Sequence, residues 1–134
     1  MSKFSLKRLW FVYFFSGIIV FMFAQVPGEE KPYGIYSNME ISEETGDISG
    51  FELFILPSNE GDYVVFQDAE GWPKKPVVLK IVVGGTTVSE NNVFRFSHPE
   101  MGPFVGKIEG KKLIGEFTEM RYHIELNKGN SIWQ

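Results

Sequence analysis

The spacing of apolar residues constrains this chain more than any other feature. After residue 32, short runs of hydrophobic residues alternate with turn residues at intervals of about eight to twelve positions. No stretch carries a helical period, and the clearest run, residues 77–83, is rich in β-branched side chains. This pattern predicts about eight or nine short antiparallel strands and an all-β fold. The strands are expected at residues 33–40, 50–56, 63–67, 77–83, 86–88, 93–97, 104–108, 113–117 and 121–126.

Successive hairpins favour an up-and-down meander, and closing that meander into a small β-barrel would remove its exposed edges. Two glycines support closure. Gly106 and Gly115 lie in the middle of predicted inward faces, where a glycine lets a strand coil sharply or lets a ligand or backbone come close. A two-sheet β-sandwich explains the strand count nearly as well.

Two parts of the chain depart from a simple alternation. Residues 68–76 contain a glycine and two prolines, so we expect them to leave the sheet as an irregular connection. Two strands are apolar on both faces, through Phe54 and Leu56 in one and through Val78 and Val82 in the other. We expect their outer surface to be covered by residues 68–76, by the N-terminal linker or by another subunit.

The N-terminus predicts export. Residues 9–24 contain no charge, follow a basic flank and would reach only about 24 Å as a helix, short of the roughly 30 Å hydrocarbon core. A signal peptide cleaved after Ala24 is the preferred interpretation. Met22 is larger than the residue expected near such a site, so a retained membrane anchor is the alternative. Residues 25–32 then form a linker, and residues 33–134 form a single domain.

Charge and composition restrict the partners. Residues 1–24 carry a local charge of +3, which leaves -7 on the remainder of a chain whose net charge is -4. An acidic domain with scattered lysines argues against nucleic acid as a partner. The chain has no cysteine, which excludes disulfides, thiolate metal sites and a cysteine nucleophile. The expected location is the periplasm or the extracellular space, with membrane contact only through residues 9–24 if they are retained.

No catalytic motif stands out in the sequence. The two histidines, His98 in a loop and His123 on a predicted outward face, are not expected to share a metal site. We therefore expect no metal, no cofactor and no enzymatic activity. A small hydrolase or isomerase built from His98 and loop carboxylates is the least favoured alternative.

The candidate ligand-binding residues are Tyr63, Gln67, Glu70 and Trp72. Tyr63 and Gln67 share a strand face that leads toward Glu70 and Trp72, as at the mouth of a ligand-binding barrel. Alternatively, Trp72 closes one end of the core and Gln67 satisfies backbone groups there. Trp133 has a similar ambiguity, since it can close the other end or remain exposed as a partner contact.

Several short patterns carry a resemblance to known proteins. They are Tyr33-Gly34-Ile35-Tyr36, residues 46–51, Gln67 with Glu70-Gly71, and the terminal Ser131-Ile132-Trp133. Together with a signal peptide, these patterns resemble small secreted bacterial β proteins of unknown function, and the architecture is similar to avidin-like and lipocalin-like barrels. The chain lacks the tryptophan-rich shelf of avidins and the opening G-x-W of lipocalins, so the resemblance implies architecture alone.

The sequence thus predicts an exported, non-enzymatic domain that binds a small apolar or amphipathic ligand or an envelope component. A protein-interaction module, such as an inhibitor or an envelope assembly factor, is the main alternative.

Overall fold

The computed structural model describes residues 31–83 and 92–134, and these residues form strands and turns without a helix. The predicted segment 1–24, most of the linker and the strand expected at 86–88 lie outside the described residues. Within them, no helix is long and apolar enough to cross a membrane. The strands are β1 (Gly34–Ser37), β2 (Glu40–Ile41), β3 (Ile48–Leu56), β4 (Tyr63–Pro73), β5 (Val77–Lys80), β6 (Val82–Val83), β7 (Val93–His98), β8 (Gly102–Glu109), β9 (Lys112–Phe117) and β10 (Tyr122–Lys128).

All of these strands belong to one antiparallel sheet. Its order is β5-β4-β3-β1-β10-β9-β8-β7-β6, and β2 is added beside β3. Only Ile81 separates β5 from β6, and the two strands pair with β4 and β7 respectively. One extended segment therefore spans the seam and nearly closes the sheet into a barrel. The predicted small all-β meander barrel is confirmed, and a two-sheet sandwich is not formed.

Large side chains from alternate strand positions fill the barrel interior. In β7, Phe94, Phe96 and His98 are buried while Arg95 and Ser97 between them are exposed, as the two-residue period of a strand requires. Burying each such aromatic ring contributes roughly 1.5–3 kcal/mol, so this cluster is the main source of stability. The largest fully buried side chains are Tyr36, Phe66, Phe94, Phe104, Phe117, Leu53, Ile55, Leu113, Leu126 and Val64.

The prediction that residues 68–76 form an irregular connection is wrong for most of this segment, because residues 68–73 belong to a strand. Strand β4 continues to Pro73, and its pairing with β3 runs without a break from Leu56↔Tyr63 to Ile48↔Gly71. Pairing with β5 involves only residues 63–66, so the later part of β4 has one free edge. A proline is tolerated at such an edge because no neighbouring strand needs its missing N–H.

A second, smaller cluster lies on the outer side of the sheet, where β3 and β4 extend past the barrel. Met39, Ile48 and Ala69 are buried there, and Ile132 of the C-terminal tail packs against them. The Oγ of Ser131 donates a 2.7 Å hydrogen bond to Glu52, which holds the tail on this surface. The tail therefore covers one part of the outer wall and leaves the neighbouring part open.

Candidate functional site

The structure does not bring the four predicted ligand-binding residues together. Tyr63 and Gln67 share one face of β4, as predicted, but Glu70 lies on the other face because β4 pairs with β3 in a continuous register. Tyr63 and Glu70 are also seven residues apart along the strand, or about 23 Å. A single rim lined by all four side chains is therefore not formed. Whether any of them binds a ligand stays a prediction.

Gln67 and Trp72 have separate environments. The side-chain amide of Gln67 donates a 2.8 Å hydrogen bond to the carbonyl of Lys74, so Gln67 satisfies a backbone group, as the alternative interpretation expected. Trp72 does not close the core, because 75% of its surface is exposed. The strand carries Trp72 past the barrel, where no packed residues remain to cover it. Trp133 is also exposed.

Aromatic rings lead from the core to solvent at one end of the barrel, which we call the aromatic end (Phe51, Phe66, His98 and Tyr122). The ring of Phe66 lies 4.8 Å from His98 and 5.9 Å from Phe51, and Phe51 lies 5.7 Å from Tyr122, measured between centroids. Tilted contacts at these distances are favourable for aromatic pairs. Because Tyr122 is exposed, the aromatic end presents a ring surface to solvent rather than an open lumen.

An ion pair lies beside the aromatic end. The ammonium of Lys74 is 2.6 Å from Oδ2 of Asp68, whose side chain is only 15% exposed. The hydrogen bond and charge of Asp68 raise the pKa of Lys74, and the charges of Glu70 and Glu100 act in the same direction. Lys74 therefore stays protonated and compensates the largely buried carboxylate of Asp68.

His98 stabilises a turn and is poorly arranged for catalysis. It is 5% exposed, and its Nδ1 accepts the backbone N–H groups of Glu100 at 3.2 Å and Met101 at 3.1 Å. A catalytic histidine of the Ser–His–Asp type needs the reverse, with Nδ1–H donating to a carboxylate. Among residues 31–83 and 92–134, no group of three or more His, Asp or Glu side chains is placed to hold a metal ion.

The inward glycines face aromatic rings rather than free space. A Cβ added at Gly115 would lie 2.0 Å from Cζ of Phe104, and one added at Gly106 would lie within 2.8 Å of Phe104 and Phe94. These contacts are far below ordinary van der Waals separation. The sequence suggested that these glycines allow either sharp coiling of the strand or the close approach of another group. In the structure a group does approach closely, and it is a side chain of the protein itself.

The opposite feature, apolar side chains facing outward, is found on one wall of the barrel. The register places Ile35 beside Phe54, Phe54 beside Val65, and Val65 beside Val78, in one row across β1, β3, β4 and β5. We call this row the apolar stripe (Ile35, Phe54, Val65 and Val78). Phe54 is exposed and Val78 is 64% exposed, so neither residues 68–76 nor the C-terminal tail covers the stripe.

The outer wall formed by β8, β9 and β10 is different in character. Its side chains form ion pairs between Lys107 and Glu109 and between Lys112 and Glu125, and His123 lies 3.7 Å from Glu116. The exposed apolar residue on this wall, Ile114, has Glu125 and Lys107 as its cross-strand partners. A charged, alternating outer wall is the usual arrangement, so the apolar stripe is the exception that needs an explanation.

Sequence reasoning noticed the two-sided apolar strands but missed their alignment into one row, since register is not visible in a single strand. It also missed the pairing of Asp68 with Lys74, because it placed both residues in a loop. No protein-family model, curated protein or solved structure matches the chain.

Proposed function

We propose that this chain is an exported, non-catalytic binding domain whose outer wall binds an apolar or amphipathic component of the cell envelope. The observation that carries the proposal is the apolar stripe. Four cross-strand partners on four neighbouring strands are all apolar, and two of them, Phe54 and Val78, are exposed. A row of exposed apolar side chains lowers the solubility of a protein, so such rows are rare on surfaces that bind nothing. Where they occur, they are characteristic of binding surfaces.

The packing of the interior favours the outer wall over the lumen. Lipocalin-like binding requires space inside the barrel, whereas the rings of Phe94 and Phe104 occupy the space in front of Gly106 and Gly115. A ligand in that position would have to displace fully buried rings, at a cost of several kcal/mol for each ring removed from the core. The outer stripe requires no such rearrangement.

The absence of cysteine makes the proposal easy to test, because a single introduced thiol can carry an environment-sensitive dye. Val78→Cys places the dye on the apolar stripe, and Ile114→Cys places it on the charged wall as a matched control. Both positions are exposed β-branched residues in strands, so both variants are expected to fold. Monomeric laurate serves as the amphiphile.

Laurate is expected to shift the emission of the Val78 dye to the blue in a saturable manner and to leave the Ile114 dye unchanged. Adding Phe54→Ser should raise the half-saturating laurate concentration about five- to tenfold, because it removes an aromatic contact from the stripe. Equal responses of the two dyes, or no response of either, would contradict the proposal.

A further inference from the structure

The size and shape of the apolar stripe limit what can cover it. Four strands separated by about 4.8 Å span about 14 Å, and Val82, four residues beyond Val78 on the same segment, extends the patch by about 13 Å. Val82 is 64% exposed. The resulting area, roughly 200 Å², is well below the ~800 Å² per partner of a stable protein interface. A barrel wall is also convex, which suits a deformable occupant better than a second folded chain.

The residues beside the stripe are typical of a lipid interface. Next to the row lies another in which Leu56 pairs with Tyr63 and Tyr63 pairs with Lys80. A tyrosine and a lysine at the border of an apolar area match the headgroup level of a bilayer, where aromatic rings concentrate and lysines extend toward phosphates.

The chain enters the described structure at the end of the barrel where β1 begins, and there the carbonyl of Lys31 accepts a hydrogen bond from the ammonium of Lys128 at the end of β10. Residue Lys31 precedes Ile35, the first member of the stripe, by four positions. The six residues 25–30 span at most about 21 Å and connect this point to the apolar run 9–24 with its basic flank. When that run is retained as an anchor, the stripe is confined to the neighbourhood of the membrane, so even a weak surface contact is strongly populated.

Building on the proposed function and on the alternative in which residues 9–24 are retained as an anchor, we infer that the apolar stripe lies against the surface of the lipid bilayer that holds this anchor. Phe54, Val78 and Val82 contact the acyl boundary, while Tyr63 and Lys80 lie at the headgroups. The wall that carries Ile114 faces the aqueous side.

The test compares the two dye-labelled full-length chains in vesicles of phosphatidylethanolamine with a minority of phosphatidylglycerol. Each chain is exposed to iodide, a quencher in the water, and to a lipid that carries a nitroxide quencher. Since both chains share the same anchor, anchoring by itself cannot distinguish the two positions. The difference between the Val78 and Ile114 dyes reports the orientation of the barrel.

We expect iodide quenching of the Val78 dye to fall at least about threefold relative to the Ile114 dye, and nitroxide quenching to show the opposite order. Lys80→Glu in the Val78→Cys chain should reduce this difference when phosphatidylglycerol is present. Equal iodide quenching of both dyes would overturn the inference, and a retained response to laurate would show that the proposed function survives it. Self-quenching of the Val78 dye that rises with protein density would overturn it in favour of a second copy.

Discussion

Replacing Gly115 with alanine tests whether the barrel interior is filled. The new Cβ would lie 2.0 Å from Cζ of Phe104, whereas unstrained carbon atoms stay about 3.5–4.0 Å apart, so the ring must move by at least about 1.5 Å. The rings of Phe96 and Phe117 oppose that movement, with centroids 4.6 Å and 5.0 Å from the centroid of Phe104. Overpacking a dense core costs about 1–3 kcal/mol, and the size of this overlap places the expected loss near 3 kcal/mol.

Unfolding of the full chain, followed by far-ultraviolet circular dichroism in urea and on heating, measures this loss. For a domain of roughly 100 residues, 3 kcal/mol corresponds to a fall of about 12–24 °C in the midpoint of thermal unfolding. Gly129→Ala is the matched control, because its Cβ would meet nothing within 4 Å. That control should stay within about 0.5 kcal/mol of the unmodified chain.

A second substitution separates overlap from other effects of alanine. Phe104→Leu in the Gly115→Ala chain removes the ring that the Cβ meets, so the double variant should lose less stability than the two single losses added together. If Gly115→Ala is no more harmful than Gly129→Ala, the interior has room for an added group. Ligand binding inside the lumen would then explain the inward glycines better than aromatic packing does.

Three single contacts can each be tested by one substitution. Tyr36→Phe removes the 2.8 Å hydrogen bond from the buried hydroxyl to the carbonyl of Pro32 and should cost about 1–2 kcal/mol, seen as a lower urea midpoint with an unchanged slope. Lys74→Gln should lower the thermal midpoint at neutral pH, and the difference should disappear at strongly alkaline pH. Asp68 raises the pKa of Lys74 above its ordinary value of 10.5. The ion pair therefore stabilises the folded state fully below that pH, and this stabilisation is lost as the pH rises through the folded-state pKa. A difference in thermal midpoint that does not change with pH would contradict the ion pair. Ile132→Ala should speed carboxypeptidase digestion of the tail several-fold with little change in global unfolding, and unchanged digestion would show that this contact does not hold the tail.

The all-β fold could be predicted because a strand shows a two-residue alternation of side chains within a short stretch of sequence. Alternation in residues 104–108 and 113–117 correctly placed Gly106 and Gly115 on inward faces, and both are buried. The same reasoning failed at residues 68–73, where glycine and proline are usually signs of a turn. Pairing with β3 on one side and a free edge on the other allowed the strand to continue, and neither condition is visible in the segment itself.

The candidate site was less predictable than the fold. The alternation of side chains along a strand predicted that Tyr63 and Gln67 share one face, and they do. Glu70 and Trp72 were expected beside them only because residues 68–76 were predicted to form a loop. In the continuous strand, distance and alternation separate Tyr63 from Glu70. The sequence showed that Phe54 and Val78 lie on faces that should have been polar. Only the register showed that they belong to one row.

By itself, the sequence determined the all-β class, the meander and the inward faces of the strands that contain Gly106 and Gly115, because these depend on side-chain periodicity within a few residues of chain. The tertiary structure decided the closure through Ile81, the filling of the lumen by Phe104 and its neighbours, and the exposure of the apolar stripe. Each of these depends on which strands become neighbours and in what register. That information lies in contacts between distant parts of the chain, so no local pattern of residues can encode it.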